Sequence, residues 1–270
     1  MAEFIEGIDI SVYQKAVDQA HWNALAQSQQ VAVVGSAHPR PNQYCEGNLE
    51  RALATGFKAI ATYIVVYPGV PSAQTVDVAR RMCGRFWDQL AFAAIDCELD
   101  GITESQIFGM ETAIKAAGLR PVIYTARWWW RDHFANSEAF KHLPLWSAYY
   151  DGDKDVDYAS APYGGWTLDN LIGEQDAGSI ELAGVTVDRN SFRRDFVLPP
   201  EEDDMAYMLV LGRDPAEPGM IYVVYKDSAG HPLWKTHLKD FADMPKLGVT
   251  FPVVDMVELR SVGVLPTRHV

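Results

Sequence analysis

The stretch "AFAAIDCELDG", residues 91–101, runs from five apolar residues directly into acids at alternate positions. The apolar part is typical of a buried strand, and Asp96, Glu98 and Asp100 follow it. If the strand continues through these acids, side chains two residues apart point to the same face, roughly 6–7 Å apart. The pattern then predicts that Asp96 and Glu98 project together while Cys97 points the other way. Because burying charge beside charge is costly, the pair indicates a functional site.

Strand-like and helix-like segments alternate on both sides of this stretch. Such alternation favours a parallel sheet that is buried on both faces and is either open or closed into a barrel. The predicted strands lie within residues 7–11, 31–35, 58–68, 91–96 and 121–125, and the predicted helices within 15–26, 47–55, 73–90 and 104–117.

The pattern changes after residue 140. Residues 143–150, 164–176 and 184–192 are typical of strands joined by loops, without a good helix between them. The segment "VLPPEEDD", 197–204, has two prolines and four acids, and it predicts a domain boundary. Beyond it, "AYMLVLG" and "MIYVVYK" predict paired strands of a small module. We therefore expect a first domain at 1–198 and a β-rich C-terminal domain at 199–270.

Composition excludes several classes of function. The net charge is −13 and the pI about 4.9, which argues against nucleic acid as a partner. No apolar run reaches the roughly 18 residues of a membrane span. Three cysteines without a CxxC pattern and seven histidines without HExxH spacing predict neither a disulfide framework nor a metal site, and we expect no cofactor. The start "MAEFIEGIDI" lacks the basic region of a secretory signal, so we expect synthesis in the cytoplasm.

Acids and aromatic residues recur where the predicted strands end. In a parallel barrel, active sites lie at the carboxyl ends of the strands. Glycosidases need one protonated carboxylic acid to assist departure of the leaving group and a second group to manage the developing oxocarbenium ion. Clustered acids help, because like charges raise the pKa of one member. The predicted sugar-cleaving site comprises Asp9 in the first strand, Asp96, Glu98, Asp188 late in the last strand, Tyr63 and Tyr124.

Two features also have ordinary interpretations. An acid after a strand is often a loop residue or a helix cap, and we interpret Asp100 in this way. The run "WWW", 128–130, is a candidate platform for stacking sugars. Three consecutive side chains cannot share one face, however, so at least one of these tryptophans should pack in the core.

Several motifs, in order and spacing, resemble glycoside hydrolase family 25, the Chalaropsis-type lysozymes. They are "GIDIS" followed by "YQ", the Asp-x-Glu motif in "DCE", "PVIYT", "PLWSAYY" and "VDRNSF", and together they cover about residues 5–195. The resemblance implies an α/β fold, a TIM-like barrel of about five β/α units closed by three further strands. It also implies hydrolysis of peptidoglycan at the β-1,4 bond from N-acetylmuramic acid to N-acetylglucosamine.

By position, the resemblance makes Glu98 the general acid/base and Asp96 its partner. It makes Asp9 and Asp188 the supporting carboxylates. The substrate-binding candidates are therefore Asp9, Asp188, Tyr63, Tyr124, Trp146 and Gln175. The spacing of Asp96 and Glu98 is compatible with a direct nucleophile, with inversion, or with attack by the substrate's own 2-acetamido group. The resemblance favours the acetamido route.

Three segments depart from the family pattern. "GSAHPR", 35–40, replaces a Lys/Arg-Ala-Thr-Glu-Gly-like stretch. Tyr63-Ile64-Val65 stands in place of Tyr-His-Phe, and Glu174-Gln175-Asp176 in place of Trp-Gln-Tyr. These positions shape the substrate groove.

A muramidase without a signal peptide fits a phage endolysin that acts on the bacterial wall after release through a membrane lesion. The C-terminal module would then attach the enzyme to the wall. Two rival hypotheses stay open: a non-catalytic cell-wall or virion protein that binds sugar on the same barrel, and a chitinase-like hydrolase that uses the same acid pair. The sequence makes no prediction of oligomeric state.

Overall fold

The structure is a computed structural model that describes residues 3–38, 40–153, 156 and 161–198, together with three strands within 206–238. The chain divides into two compact units, Met1–Leu198 and Pro199–Val270. The first unit contains nine strands and six helices, whose bounds are β1 (Phe4–Ile10), α1 (Gln19–Leu25), β2 (Val31–His38), β3 (Arg40–Pro41), α2 (Cys45–Ala54), β4 (Ala59–Val65), α3 (Ser72–Cys83), β5 (Ala93–Asp96), α4 (Glu104–Ala116), β6 (Pro121–Ala126), α5 (Arg127–Phe134), β7 (Leu145–Ala148), β8 (Leu171–Leu182), β9 (Val185–Arg193) and α6 (Arg194–Val197).

Eight of these strands close into a barrel. The sheet order is β1-β9-β8-β7-β6-β5-β4-β2, with the short β3 beyond β2, and pairing of β1 with β2 closes the ring. The predicted fold, five β/α units closed by three further strands, is confirmed. Neighbouring barrel strands are parallel except that β9 runs antiparallel to both β8 and β1.

The reversal of β9 corrects one prediction. Asp188 lies in the first half of β9, not late in it, and it pairs directly with Asp9 near the end of β1. Because β9 runs the other way, its beginning lies beside the ends of the parallel strands. The two acids therefore meet at the same mouth of the barrel.

Alternation of side chains along each strand produces two apolar layers. Residues of one parity, such as Ile5 in β1 and Trp146 in β7, pack inside the barrel with Phe92 and Phe192. Residues of the other parity, such as Ile8, pack outward against the helices. Each large side chain buried in this way contributes about 1.5–3 kcal/mol. Near the carboxyl ends of the strands, the residues that point into the barrel are polar, and they form the mouth.

Two predicted helices are shorter than the sequence pattern indicated. The one predicted at 15–26 begins at Gln19, because Asp18 caps it by accepting the His21 N–H at 2.9 Å. The one predicted at 73–90 ends as an α-helix at Cys83, because Gly84 has a positive φ of 55° and the chain continues as a 3-10 helix.

The segment after β9 belongs to the barrel. Phe196, Val197 and Leu198 are buried in the interior layer. Arg120 donates from Nη2 to the carbonyl of Phe196 at 2.7 Å, and its guanidinium lies 4.3 Å from the centre of the Phe196 ring. Helix α6 therefore closes the end of the barrel opposite the mouth.

The described residues of the second unit form three antiparallel strands in the order β10 (Ala206–Leu211), β11 (Ile221–Lys226) and β12 (Pro232–Leu238). The predicted strands "AYMLVLG" and "MIYVVYK" correspond to β10 and β11, which pair antiparallel. Strand β12 had no counterpart in the sequence analysis. Residues 199–204 of the predicted boundary lie outside the described residues.

Candidate active site

The acid pair lies where β5 ends and the following loop begins. Strand β5 stops at Asp96, so Glu98 is in the loop, and the prediction that both acids stand on one strand face is wrong in this detail. Asp96 Oδ1 accepts the Glu98 N–H at 2.9 Å, and Glu98 Oε1 accepts the N–H of Ala126, at the end of β6, at 2.6 Å. Cys97 is fully buried in the outer layer, as predicted. Two backbone contacts thus fix both carboxyl groups.

The pKa values of both carboxyl groups are higher than those of exposed carboxyl groups. Burial, followed by the negative charge of Asp96, raises the pKa of Glu98 to about 7, against a lowering by the Ala126 N–H. Burial raises the pKa of Asp96 to about 6, against a lowering by the Glu98 N–H. Near pH 6–7, Glu98 therefore keeps a proton while Asp96 carries a charge.

A second pair of acids lies on the other side of the mouth. Gln175 Nε2 donates to Asp9 Oδ2 at 2.8 Å and to Asp188 Oδ2 at 3.3 Å, and Asn190 Nδ2 donates to Asp9 Oδ2 at 2.9 Å. Burial and the nearby charge of Asp188 raise the pKa of Asp9. The pKa of Asp188 is raised by burial, although the Ser179 N–H opposes this by donating to Oδ1 at 2.6 Å. This pair therefore holds one proton more readily than two separate acids would.

The predicted tyrosines also lie at this mouth. Tyr124 donates its hydroxyl to Gln175 Oε1 at 2.7 Å, and Tyr150, after β7, donates to the same oxygen at 2.7 Å. The ring of Tyr63 occupies the space beside Gly35, where an added Cβ would lie 2.4 Å from its Cζ. Burial and then the charge of Asp9 raise the pKa of the Tyr63 hydroxyl well above its usual value. Gly35 is thus required for Tyr63 to reach the site.

Trp146 and Gln175 occupy a layer below the surface of the mouth. Trp146 is 1% exposed and Gln175 is 2% exposed, and their assignment as substrate-binding residues stays a prediction. Trp146 Nε1 donates to Asn190 Oδ1 at 2.9 Å and so orients the amide that binds Asp9. Sequence analysis missed Asn190, although it lies in "VDRNSF" two positions after Asp188 and therefore on the same strand face.

Exposed aromatic side chains surround the mouth. Tyr13 is 74% exposed after β1, Trp128 is 60% exposed after β6, and Tyr150 is 59% exposed after β7. Large rings standing in water after the carboxyl ends of strands suit the stacking of sugars. Sequence analysis identified only Trp128 among these three.

The three consecutive tryptophans have different environments. Trp130 is fully buried, as one of the three was predicted to be. Trp129 stacks on His133 with ring centres 3.7 Å apart, and His133 Nε2 lies 2.9 Å from Asp100 Oδ1. This contact of Asp100 links the loop of Glu98 to helix α5.

A closed barrel with a buried acid pair and exposed aromatic residues at the carboxyl ends of its strands is the arrangement expected of a barrel glycoside hydrolase. Comparison with known proteins identifies the family within this class. Glycosyl hydrolases family 25 matches residues 8–170, and the chain belongs to this family, as the sequence motifs predicted. It is therefore a glycoside hydrolase of the lysozyme type.

Individual relatives agree with this assignment. The chain is 28% identical over 159 residues to "Probable GH family 25 lysozyme 5" of Dictyostelium discoideum, which covers 54% of this chain and 71% of the relative. The family GH25 lysozyme structure from Aspergillus fumigatus superimposes with a TM-score of 0.59 at 18% identity, over 73% of this chain and all of the other. The spore cortex lytic enzyme SleM of Clostridium perfringens gives 0.62 at 15% identity, over 88% and 85%.

Two further findings apply to the described part of the chain. None of its helices is long and apolar enough to cross a membrane. Within the same residues, no cluster of three or more histidine, cysteine or acidic side chains has an arrangement suited to a metal ion.

Proposed function

We propose that the chain hydrolyses peptidoglycan at the β-1,4 bond from N-acetylmuramic acid to N-acetylglucosamine in bacterial cell walls. Membership of the lysozyme family supports peptidoglycan as the polymer. The observation that carries the proposal is the contact chain from Asp96 through the Glu98 N–H and the Glu98 carboxyl to the Ala126 N–H. It holds two carboxyl groups of different acidity at one end of the barrel.

Glu98 acts as general acid and then as general base. Its Oε1 is held by the Ala126 N–H, and within the described residues no protein group donates to Oε2. With a pKa of about 7, the group is protonated at mildly acidic pH and gives its proton to the oxygen of the departing sugar. The resulting carboxylate then takes a proton from the attacking water.

Asp96 assists through the 2-acetamido group of the substrate. Its Oδ1 accepts the Glu98 N–H, and the described residues supply no donor to Oδ2. An ionised Oδ2 suits the N–H of an acetamido group, which is oriented in this way for attack on the anomeric carbon. This assignment extends the route that the family resemblance favours, and it makes the N-acetyl group a requirement of the substrate.

The other residues of the mouth stabilise and position the substrate. The Asp9–Asp188 pair, bridged by Gln175, places negative charge opposite the acid pair, where it stabilises a developing oxocarbenium ion. Tyr63 and Tyr124 complete the walls. Tyr13, Trp128 and Tyr150 provide faces for neighbouring sugars along the glycan.

The test is release of new reducing ends from purified peptidoglycan and from chitin. We expect release of reducing ends from peptidoglycan, with N-acetylmuramic acid at the new end, and little release from chitin. The rate of release from peptidoglycan should fall by at least about 10²-fold in Glu98→Gln. The matched control is Glu138→Gln, since the Glu138 side chain is 63% exposed. Preference for chitin would favour the chitinase-like hypothesis. Full activity in Glu98→Gln, or binding without cleavage by the wild type, would favour the non-catalytic hypothesis.

We further propose residues 1–198 as the catalytic domain and 199–270 as a module that attaches it to the wall. The three-stranded antiparallel sheet is compatible with a binding module, and the division of the chain at Leu198 supports separate units. Release of the enzyme to the wall by a phage-type route stays a prediction from the sequence.

A further inference from the structure

A small cavity lies at the rim of the barrel mouth, outside the acid site. Its volume is about 190 Å³, and its wall combines the hairpin of β2 and β3 with the loop after β4 and the first turns of α3. The apolar part of the wall is formed by Ala37, Pro41, Val65, Val70 and Val78. The polar groups that line it include the side chains of Arg40 and Gln74.

This cavity begins next to the acid pair. Val65, at the end of β4, pairs in parallel register with Asp96, at the end of β5. Neighbouring strands lie about 4.8 Å apart, and register partners in a parallel sheet point to the same face. Val65, one residue of the cavity wall, therefore lies next to Asp96, and this edge of the cavity is near the acid pair.

Arg40 supplies the cationic group of the cavity wall. It is exposed, and the described part of the chain contains no carboxylate that pairs with it. The hairpin that carries it is fixed by Asn42, whose side chain donates to the carbonyl of Gly35 at 2.6 Å and whose N–H donates to the carbonyl of Ser36 at 3.0 Å. The backbone that carries this positive charge is thus fixed, in a chain of net charge −13.

Volume and chemistry together restrict the occupant. A cavity of this size has the volume of about six water molecules, which suits one or two small residues. Methyl and isopropyl walls suit a small alkyl side chain, whereas Arg40 suits a carboxylate. Peptidoglycan carries an acidic, alanine-containing peptide on the lactyl group of its muramic acid. We propose that Arg40 and this cavity bind that stem peptide, which makes them specificity determinants of the enzyme.

This inference rests on the proposed function, and its test compares two substrates with the full chain. One is soluble glycan strands that carry the stem peptides, and the other is the same strands after an amidase has removed them. Arg40→Ala should lose roughly tenfold in kcat/KM on the first substrate and nothing on the second. Lys58→Ala is the matched control, because Lys58 is exposed and lies before β4, at the opposite end of the barrel.

A second variant blocks the cavity without changing charge. Gln74 is exposed on α3, so Gln74→Trp should fold and should show the same selective loss as Arg40→Ala. The free stem peptide should compete with the stem-bearing substrate in the wild type and not in Arg40→Ala.

Equal losses on both substrates, or a loss confined to the amidase-treated strands, would overturn the inference. The second result would assign Arg40 to the lactyl carboxylate that the amidase uncovers. Absence of cleavage on either substrate by the wild type would instead overturn the proposed function.

Discussion

The N–H of Ala126 lies 2.6 Å from Oε1 of Glu98, so the end of strand β6 holds the acid that follows strand β5. A backbone donor cannot rotate away, and it fixes one carboxyl oxygen without neutralising the group. The pKa of Glu98 nevertheless stays raised, because burial and the charge of Asp96 outweigh this single hydrogen bond. The arrangement produces a proton donor of fixed orientation, from which the first prediction follows.

Glu98→Gln and Asp96→Asn should fail in different ways on substrates with different leaving groups. On natural glycan both should lose at least about 10²-fold in rate, since a sugar leaving group needs a proton. On an aryl glycoside with a good leaving group, Glu98→Gln should recover part of its activity, whereas Asp96→Asn should not. Initial rates on the two substrates are the measurement, and equal defects of both variants on both substrates would contradict the assigned roles.

Activity should have a narrow optimum in pH. The mechanism needs Glu98 protonated, with a pKa of about 7, and Asp96 ionised, with a pKa of about 6. The value of kcat/KM should therefore fall above about pH 7, as Glu98 loses its proton, and below about pH 6, as Asp96 gains one. A profile of kcat/KM on soluble glycan tests this, and a constant rate from pH 5 to about pH 9 would count against Glu98 as the acid.

Stability should change with pH in the direction opposite to that of an ordinary ion-paired acid. Between about pH 4.5 and about pH 7 the folded chain binds the Glu98 proton more tightly than the unfolded chain, so the free energy of unfolding falls as pH rises. Glu98→Gln removes this cost while keeping an oxygen for the Ala126 N–H. The free energy of unfolding of the variant should be about 1–3 kcal/mol higher than that of the wild type above pH 7. Near pH 4 the two values should be equal. Urea unfolding at both pH values measures this, and a difference independent of pH would exclude the carboxyl group as its source.

Much of the barrel and part of the site follow from local patterns in the sequence. Alternating strand-like and helix-like segments predicted the five β/α units, and acids where the predicted strands end predicted the candidate site. The position of Glu98 in a loop could not be predicted from the sequence. Strand β5 ends at Asp96 because its pairing with β6 ends there, at the pair of Asp96 and Tyr124. That end depends on a neighbouring strand.

The reversal of β9 was not evident for a different reason. Strands β8 and β9 are joined by a two-residue turn at Ala183 and Gly184, both with positive φ, of 52° and 79°. Glycine is a usual residue in such a turn, but alanine at the first position is not, so the hairpin signal was weak. Without the hairpin, the partnership of Asp9 with Asn190 could not be predicted. The cavity at Arg40 likewise depends on segments of chain that meet only in the folded barrel.

The contribution of α6 to the barrel predicts where the chain tolerates truncation. Phe196, Val197 and Leu198 are at least nine-tenths buried, and burial of such side chains contributes about 1.5–3 kcal/mol each. A chain ending at Arg193 would lose roughly 5–8 kcal/mol, which is comparable to the entire stability of many domains. A chain ending at Pro200 keeps these contacts and should fold. Thermal unfolding followed by circular dichroism should give a cooperative transition for the longer chain and none for the shorter.

The chain ending at Pro200 also tests the role assigned to residues 199–270. It should cleave soluble glycan fragments at the rate of the full chain, because every residue of the proposed site lies before Leu198. It should bind and lyse intact walls less well, because the proposed attachment module is missing. Pull-down with purified walls and the fall in turbidity of a cell suspension measure the two properties. Undiminished lysis would remove the targeting role, whereas loss of activity on soluble fragments would make the second unit a support of the barrel.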